Sequence, residues 1–284
     1  MRELTELLPR LLEIAHAAGR EIMDVYSREF TVAEKADRTP LTQADLRSQQ
    51  QILDGLAQLT PGIPVVAEES ATVPWTERRH WSELWLVDPL DGTREFVSRN
   101  PEFTVNIALV RDHRPVLGIV HVPAQSKDYY AYRTGAYRTG AYRTGAYANG
   151  NAEGGCAFRQ KAGEAATPIR VAKRAEEPLR IVGSKSHRGD SLDALLTKVG
   201  PHVLKPIGSS LKLCLVAEGS ADFYPRLGPT MEWDTAAAQA VAECAGAQVV
   251  DLQGKVLRYN AHEDLLNPHF LAFADTSRNW LQYV

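Results

Sequence analysis

The chain has 284 residues, 44% of them hydrophobic, and a formal charge of −3 from 32 basic and 35 acidic side chains. That length supports a sizeable core, in one large domain or two fused halves. The mild acidic balance argues against a dedicated binder of nucleic-acid polymers, yet a few local cations would still hold a small anionic substrate.

Leu4, Leu7, Leu8, Leu11, Leu12, Ile14, Ala15, Ala18, Ile22 and Val25 recur at helical spacing and predict one amphipathic helix over about residues 3–27. Glu3, Glu6 and Glu13 interrupt any apolar leader, and no run in the chain is long enough to span a bilayer. A second helix is expected from Asp45 to Leu59, ended by Thr60-Pro61-Gly62, followed by short strands at Pro64–Ala67 and Leu84–Val87. Thr104–Val110 and Val116–Val122 predict a strand pair joined by a charged turn. Residues 131–145 are three copies of Ala-Tyr-Arg-Thr-Gly with a degraded fourth behind them. A five-residue period is too short for a solenoid unit, so 131–166 is expected to be a lengthened hairpin or loop. Beyond it, strand and helix alternate: strand 180–183, helices 191–199 and 209–218, strand 221–224, helix 235–244 and strand 247–250. The fold class is layered α/β, divided softly into halves 1–175 and 176–284.

Acidic residues stand at element ends, where loops build sites. Glu68-Glu69 follow one strand, Asp88 and Asp91 the next, while Asp45 and Asp234 open helices. In Asp88-Pro89-Leu90-Asp91-Gly92-Thr93, Pro89 stiffens the turn and Gly92 permits close backbone approach. The two aspartates can then point at a common ion. If Thr93 begins a helix, the Gly92 and Thr93 amides form an anion cradle at its positive end. Clustered carboxylates call for a hard divalent cation, Mg²⁺ or Mn²⁺, and two or three such ions suit phosphoryl transfer. Taken singly, each acid reads as a helix cap or turn residue, and only the joint pattern points to metal. The eight histidines show no HxH or HExxH spacing and none is assigned to metal. Trp75, Trp81 and Trp85 read as packing residues, and Trp233 as the support that positions Asp234. Three cysteines without CxxC spacing fit buried thiols in a reducing compartment.

In the order Glu68-Glu69, Asp88-Pro89-Leu90-Asp91-Gly92-Thr93 and Trp233-Asp234-Thr235-Ala236-Ala237, the sequence resembles the inositol monophosphatase superfamily over nearly its whole length. Lys35–Asp45, Thr93-Arg94-Glu95-Phe96-Val97, Gly208–Gly219 and Tyr224–Thr230 resemble most closely the branch acting on 3′(2′),5′-bisphosphate nucleotides. The resemblance implies an αβαβα sandwich, Mg²⁺ dependence, inhibition by lithium, and hydrolysis of adenosine 3′,5′-bisphosphate to AMP and phosphate. It also implies Glu68, Asp88, the Leu90 carbonyl, Asp91 and Asp234 as metal ligands, with Asp45 beside a weaker third ion. Thr93, with Glu68, would orient the attacking water.

A bisphosphate needs cations away from the metals. Lys185 and Arg226 stand near predicted loop or helix starts, and Ser209 and Lys212, at i and i+3, would share a helical face. The expected partner is a small bisphosphorylated nucleotide, with no nucleic-acid polymer and no transmembrane segment. The expected state is monomer or homodimer, in the cytoplasm or resting on the inner membrane face. An inositol-1-phosphatase or broad sugar phosphatase would carry the same metal centre, and a non-catalytic nucleotide- or metal-binding regulator is the alternative from another class.

Overall fold

The computed structural model describes residues 3–35, 40–70, 73–133, 155–184 and 190–284. Lys185 and most of the tyrosine repeat lie outside the described residues. In chain order the elements are α1 (Leu4–Tyr26), β1 (Val32–Glu34), β2 (Pro40–Thr42), α2 (Gln43–Leu59), β3 (Val65–Ala67), α3 (Trp75–Arg78), β4 (Glu83–Asp91) and α4 (Thr93–Val97). Four strands follow, β5 (Thr104–Arg111), β6 (Arg114–Val122), β7 (Lys127–Arg133) and β8 (Gly155–Lys161), then the short β9 (Thr167–Pro168). The second half holds β10 (Leu179–Ser184), α5 (Asp190–Val199), β11 (His202–Ile207), α6 (Leu211–Ala217), β12 (Phe223–Arg226), α7 (Glu232–Ala245), β13 (Gln248–Asp251) and β14 (Phe270–Phe273).

These elements stack in five layers. Strands β3 to β9 form a seven-stranded sheet in sequence order, antiparallel except where β3 meets β4. The second sheet has five strands in the order β11-β10-β12-β14-β13. Helices α1 and α2 cover the outer face of the first sheet, against Trp85, Val87, Val105, Ile107 and Ile119. Alternate residues of the same strands, Leu84, Leu86, Ala108 and Val120, face α6 and α7 between the sheets. Both faces of β4 and β5 are therefore apolar and no polar alternation appears. On the far side, α5 and Trp280 pack on the outer face of the second sheet. The αβαβα expectation holds. The inner core joins Leu86 and Val120 of the first half to Ala237 and Val241 of the second.

Several boundaries differ from expectation. Strand β4 does not stop at Asp88 but continues to Asp91 through a register shift between those two residues. Helices α2 and α7 begin before Asp45 and Asp234, each of which becomes the third helical residue and accepts from the amide of the N-cap residue, with the Thr42 hydroxyl adding a second cap in α2. The 131–166 segment, expected as a lengthened hairpin or loop, is entered and left by an antiparallel pair: Ala131–Arg133 complete β7, and β8 pairs with it, Gly155 opposite Arg133.

Candidate active site

An open pocket of about 220 Å³ lies where the end of β4, the start of α4, the start of α7 and the end of β12 meet. Glu68, Asp88, Leu90, Asp91, Gly92, Thr93, Ser209, Lys212, Arg226 and Asp234 all line it. The fold thus gathers nearly every expected site residue that lies within the described part of the chain.

Local structure aims each acid. The Glu68 amide still pairs with the Val87 carbonyl at 3.1 Å, so Glu68 leaves β3 beside β4. The Ser48 hydroxyl donates to the Pro89 carbonyl at 2.6 Å, and the Leu90 amide donates to Asp88 Oδ1 at 3.0 Å, fixing the turn. Asp91 Oδ2 accepts from the Ser210 amide at 2.5 Å and from Asn106 Nδ2 at 3.3 Å, which ties the first sheet to the entry of α6. Asp45 and Asp234 are indeed caps: their Oδ2 atoms accept from the Thr42 and Met231 amides at 2.7 and 2.9 Å. Capping uses one oxygen of each. The other oxygen of Asp45 faces the Thr93 hydroxyl at 3.2 Å. That hydroxyl also lies 3.2 Å from the Leu90 carbonyl, so its single hydrogen is shared between two acceptors. Gly92 has φ +92°, a left-handed turn that ends β4 and lets α4 begin at Thr93 as expected. The amides of that first turn have no intrahelical partner.

Burial pushes the acids up, and they repel one another. Asp88, almost fully buried, sits well above the usual carboxylate range through desolvation and then the charges of Glu68, Asp91 and Asp234. Desolvation lifts Asp234 to about 8, helped by Asp91 and Glu68 and opposed by the Met231 amide. Asp91 reaches about 6, desolvation again leading, with Lys212 and the Ser210 amide pulling it down. Glu69 rises to about 7 by desolvation, against the pull of Lys35. Lys35 donates to Glu68 at 2.7 Å and also to Glu69. Lys212 is lowered to about 8 by its own burial, which the nearby Asp91 charge opposes. Lys35, Lys212, Arg94 and Arg226 are outnumbered by Glu68, Glu69, Asp88, Asp91, Glu95, Asp45 and Asp234. An excess of negative charge on an all-oxygen donor set fits a hard divalent cation.

Two expectations are corrected. Ser209 has φ +51° and stands before α6, which starts at Leu211, so Ser209 and Lys212 do not share a helical face. Instead the Lys212 ammonium turns back and donates to the Ile207 and Ser209 carbonyls. Arg226 is buried at the end of β12, and its Nε takes no hydrogen bond. Sequence reasoning missed Lys35 as a partner of the acid pair, and Thr104, Asn106 and Ser210 as the residues that hold Asp91. Only the Lys35–Asp45 segment match hinted at the first.

The sequence profile of the inositol monophosphatase family matches residues 3–280. The 3′(2′),5′-bisphosphate nucleotidase CysQ of Salmonella typhimurium is 44% identical over 266 residues, 93% of this chain and 98% of the relative. The crystal structure of CysQ from Bacteroides thetaiotaomicron, a bacterial member of the inositol monophosphatase family, matches with TM-score 0.77 at 35% identity, covering 97% of this chain and 99% of that one. A staphylococcal inositol monophosphatase in a lithium chloride-soaked inhibitory complex shares the fold at TM-score 0.75 and 19% identity, covering 100% and 96% of the two chains.

Proposed function

Because the chain belongs to the inositol monophosphatase family, we propose that it hydrolyses the 3′-phosphate of adenosine 3′,5′-bisphosphate to AMP and phosphate. The observation that carries this reading is one pocket lined both by the acids Glu68, Asp88, Asp91 and Asp234 and by the cations Lys212 and Arg226. A substrate bearing two phosphates can use both sets, one phosphate at the cation-binding acids and the other at the basic side chains.

The family is metal-dependent, and we assign Mg²⁺ here, two or three ions, with Mn²⁺ as a substitute. Glu68, Asp88, the Leu90 carbonyl, Asp91 and Asp234 would hold them. When bound, the ions supply positive charge to the phosphoryl oxygens and acidify a water. The chain's own residues orient the reaction. Asp45 accepts from the Thr93 hydroxyl, which frees a Thr93 lone pair to accept from the attacking water beside Glu68. The Gly92 and Thr93 amides face the scissile phosphate at the start of α4. Lys212, Arg226 and Ser209, which line the same pocket, meet the distal phosphate. Lithium inhibits by competing for the same oxygens. The enzyme acts in the cytoplasm, and among the described residues no helix is long and apolar enough to cross a membrane.

A phosphate-release panel across nucleotide bisphosphates, inositol phosphates and fructose bisphosphate, with Mg²⁺ and with chelator, tests the reading. Adenosine 3′,5′-bisphosphate should lead the panel in kcat/KM, and chelator should silence every substrate. A lead by inositol 1-phosphate would transfer the assignment to the inositol-1-phosphatase alternative.

Arg226→Gln isolates the distal end. A charge-assisted hydrogen bond contributes about 1.5–3 kcal/mol, so KM for the bisphosphate should rise roughly 10- to 100-fold. Turnover of adenosine 3′-monophosphate, which lacks the distal group, should move little. Parallel losses on both substrates would remove Arg226 from the distal site.

A further inference from the structure

Outside the pocket, a side chain of the first helix meets two from neighbouring strands on the opposite face of the seven-stranded sheet. His16 comes from α1, His121 from β6 and Asp128 from β7, with His121 directly opposite Asp128 in the β6–β7 register. Asp128 Oδ1 lies 2.7 Å from His121 Nδ1, and Oδ2 lies 2.9 Å from His16 Nε2. The two ring centroids are 4.9 Å apart. His121 and Asp128 are buried, with side chains 9% and 6% exposed, while His16 is 42% exposed. His121 is opposite Val105, which packs under α1 and α2. The next residue, Asn106, turns to the other face and holds Asp91. The sheet therefore separates this cluster from the acid pocket.

The surroundings are shaped to admit it. A Cβ on Gly19, one turn along α1 from His16, would lie 2.4 Å from His121 Nε2. Helix α1 is bare at that point and the imidazole fills the space, leaving Nδ1 as the nitrogen turned toward Asp128. The potential ligand atoms of all three residues lie within 4.8 Å of one another.

We propose that His16, His121 and Asp128 form a second metal site, for a borderline divalent ion of the zinc class, that clips α1 to the β6–β7 hairpin. Two imidazoles and a carboxylate suit zinc, cobalt or nickel, whereas Mg²⁺ prefers oxygen. A tetrahedral ion with ligand bonds of about 2.1 Å has ligand–ligand edges of roughly 3.4 Å. The present N···O separations open to that edge with movements below about 1 Å. The ion replaces the hydrogens that the two imidazoles share with Asp128, and those protons pass to solvent or to the far ring nitrogens. The half-exposed His16 gives an entry path and leaves a fourth position to water.

The test uses the full chain, stripped of metal and then held in excess Mg²⁺ so that the acid pocket is occupied. Zinc chloride is titrated by calorimetry, and cobalt chloride by visible absorption. The expected result is one equivalent of zinc per chain, and a tetrahedral cobalt spectrum. Both should weaken about tenfold or more in His16→Gln. That variant still donates a hydrogen bond to Asp128, so its metal-free melting temperature and its turnover in Mg²⁺ should match the parent. Asp128→Asn should weaken zinc in the same way. Absence of zinc uptake in Mg²⁺, or uptake equally tight in His16→Gln, would overturn the proposal and leave the cluster as a hydrogen-bonded clip alone.

Discussion

Asp91→Asn is expected to lower kcat for adenosine 3′,5′-bisphosphate by about 10³-fold or more, some 4 kcal/mol of barrier, without unfolding the protein. The carboxamide keeps an oxygen for the Ser210 amide and Asn106, so the contact between β4 and the entry of α6 survives. What disappears is one negative charge among buried acids. In chelator the wild-type acids repel one another: Asp91 raises Asp234, and Asp91 also raises Asp88. The chelated variant should therefore melt at the same temperature as the chelated wild type, or above it. Mg²⁺ should raise the wild-type melting temperature by mass action and the variant's by much less. Calorimetric scans with and without Mg²⁺, beside initial rates, check both halves. A variant with near-normal turnover, or with an undiminished Mg²⁺ shift, would contradict the role assigned to Asp91.

The acid pocket was legible because its parts are local. A strand that ends in Asp-Pro-Leu-Asp-Gly-Thr announces its own turn, and Trp233-Asp234 stands at the mouth of an alanine-rich helix. Asp45 shows that one carboxylate can do two jobs, since Oδ2 caps α2 while Oδ1 accepts from Thr93. The supports were not legible. Thr104 and Asn106 read as ordinary strand residues until β5 is laid beside β4, where Thr104 falls opposite Asp91. The start of α6 was misplaced because helical spacing registers side chains and not φ, and Ser209 breaks the helix with a left-handed backbone. Strands β11 and β14 carry no sequence assignment. The first is an exposed edge whose burial alternates weakly through Lys205-Pro206, and the second is a four-residue apolar run too short to tell from a helical fragment. His16 and His121 escape any spacing rule because a helix and a strand from distant parts of the chain bring them together.

The second large effect belongs to a residue with no side chain. Gly118 lies in the middle of β6, between Ala108 of β5 and Ala131 of β7. These small residues make a shallow track across the sheet, and α7 lies on it through Ala237 and its neighbours. A Cβ at Gly118 would stand 2.2 Å from the Ala237 carbonyl oxygen and 2.9 Å from its Cα. Both obstacles are backbone, so no rotamer change relieves the clash, and the helix must lift off the sheet. Gly118→Ala is expected to cost about 3 kcal/mol, the upper end of ordinary overpacking, and to lower Tm by roughly 6–10 °C. Because α7 carries Asp234 in its first turn, the shift should also reduce turnover and weaken the stabilisation given by Mg²⁺, linking packing to catalysis. Gly62→Ala provides the contrast: a Cβ there meets nothing within 4 Å, so that variant should keep its Tm and its activity. Differential scanning calorimetry on the three proteins decides it, and equal melting temperatures for Gly118→Ala and Gly62→Ala would show that α7 is not held as close to β6 as the structure places it.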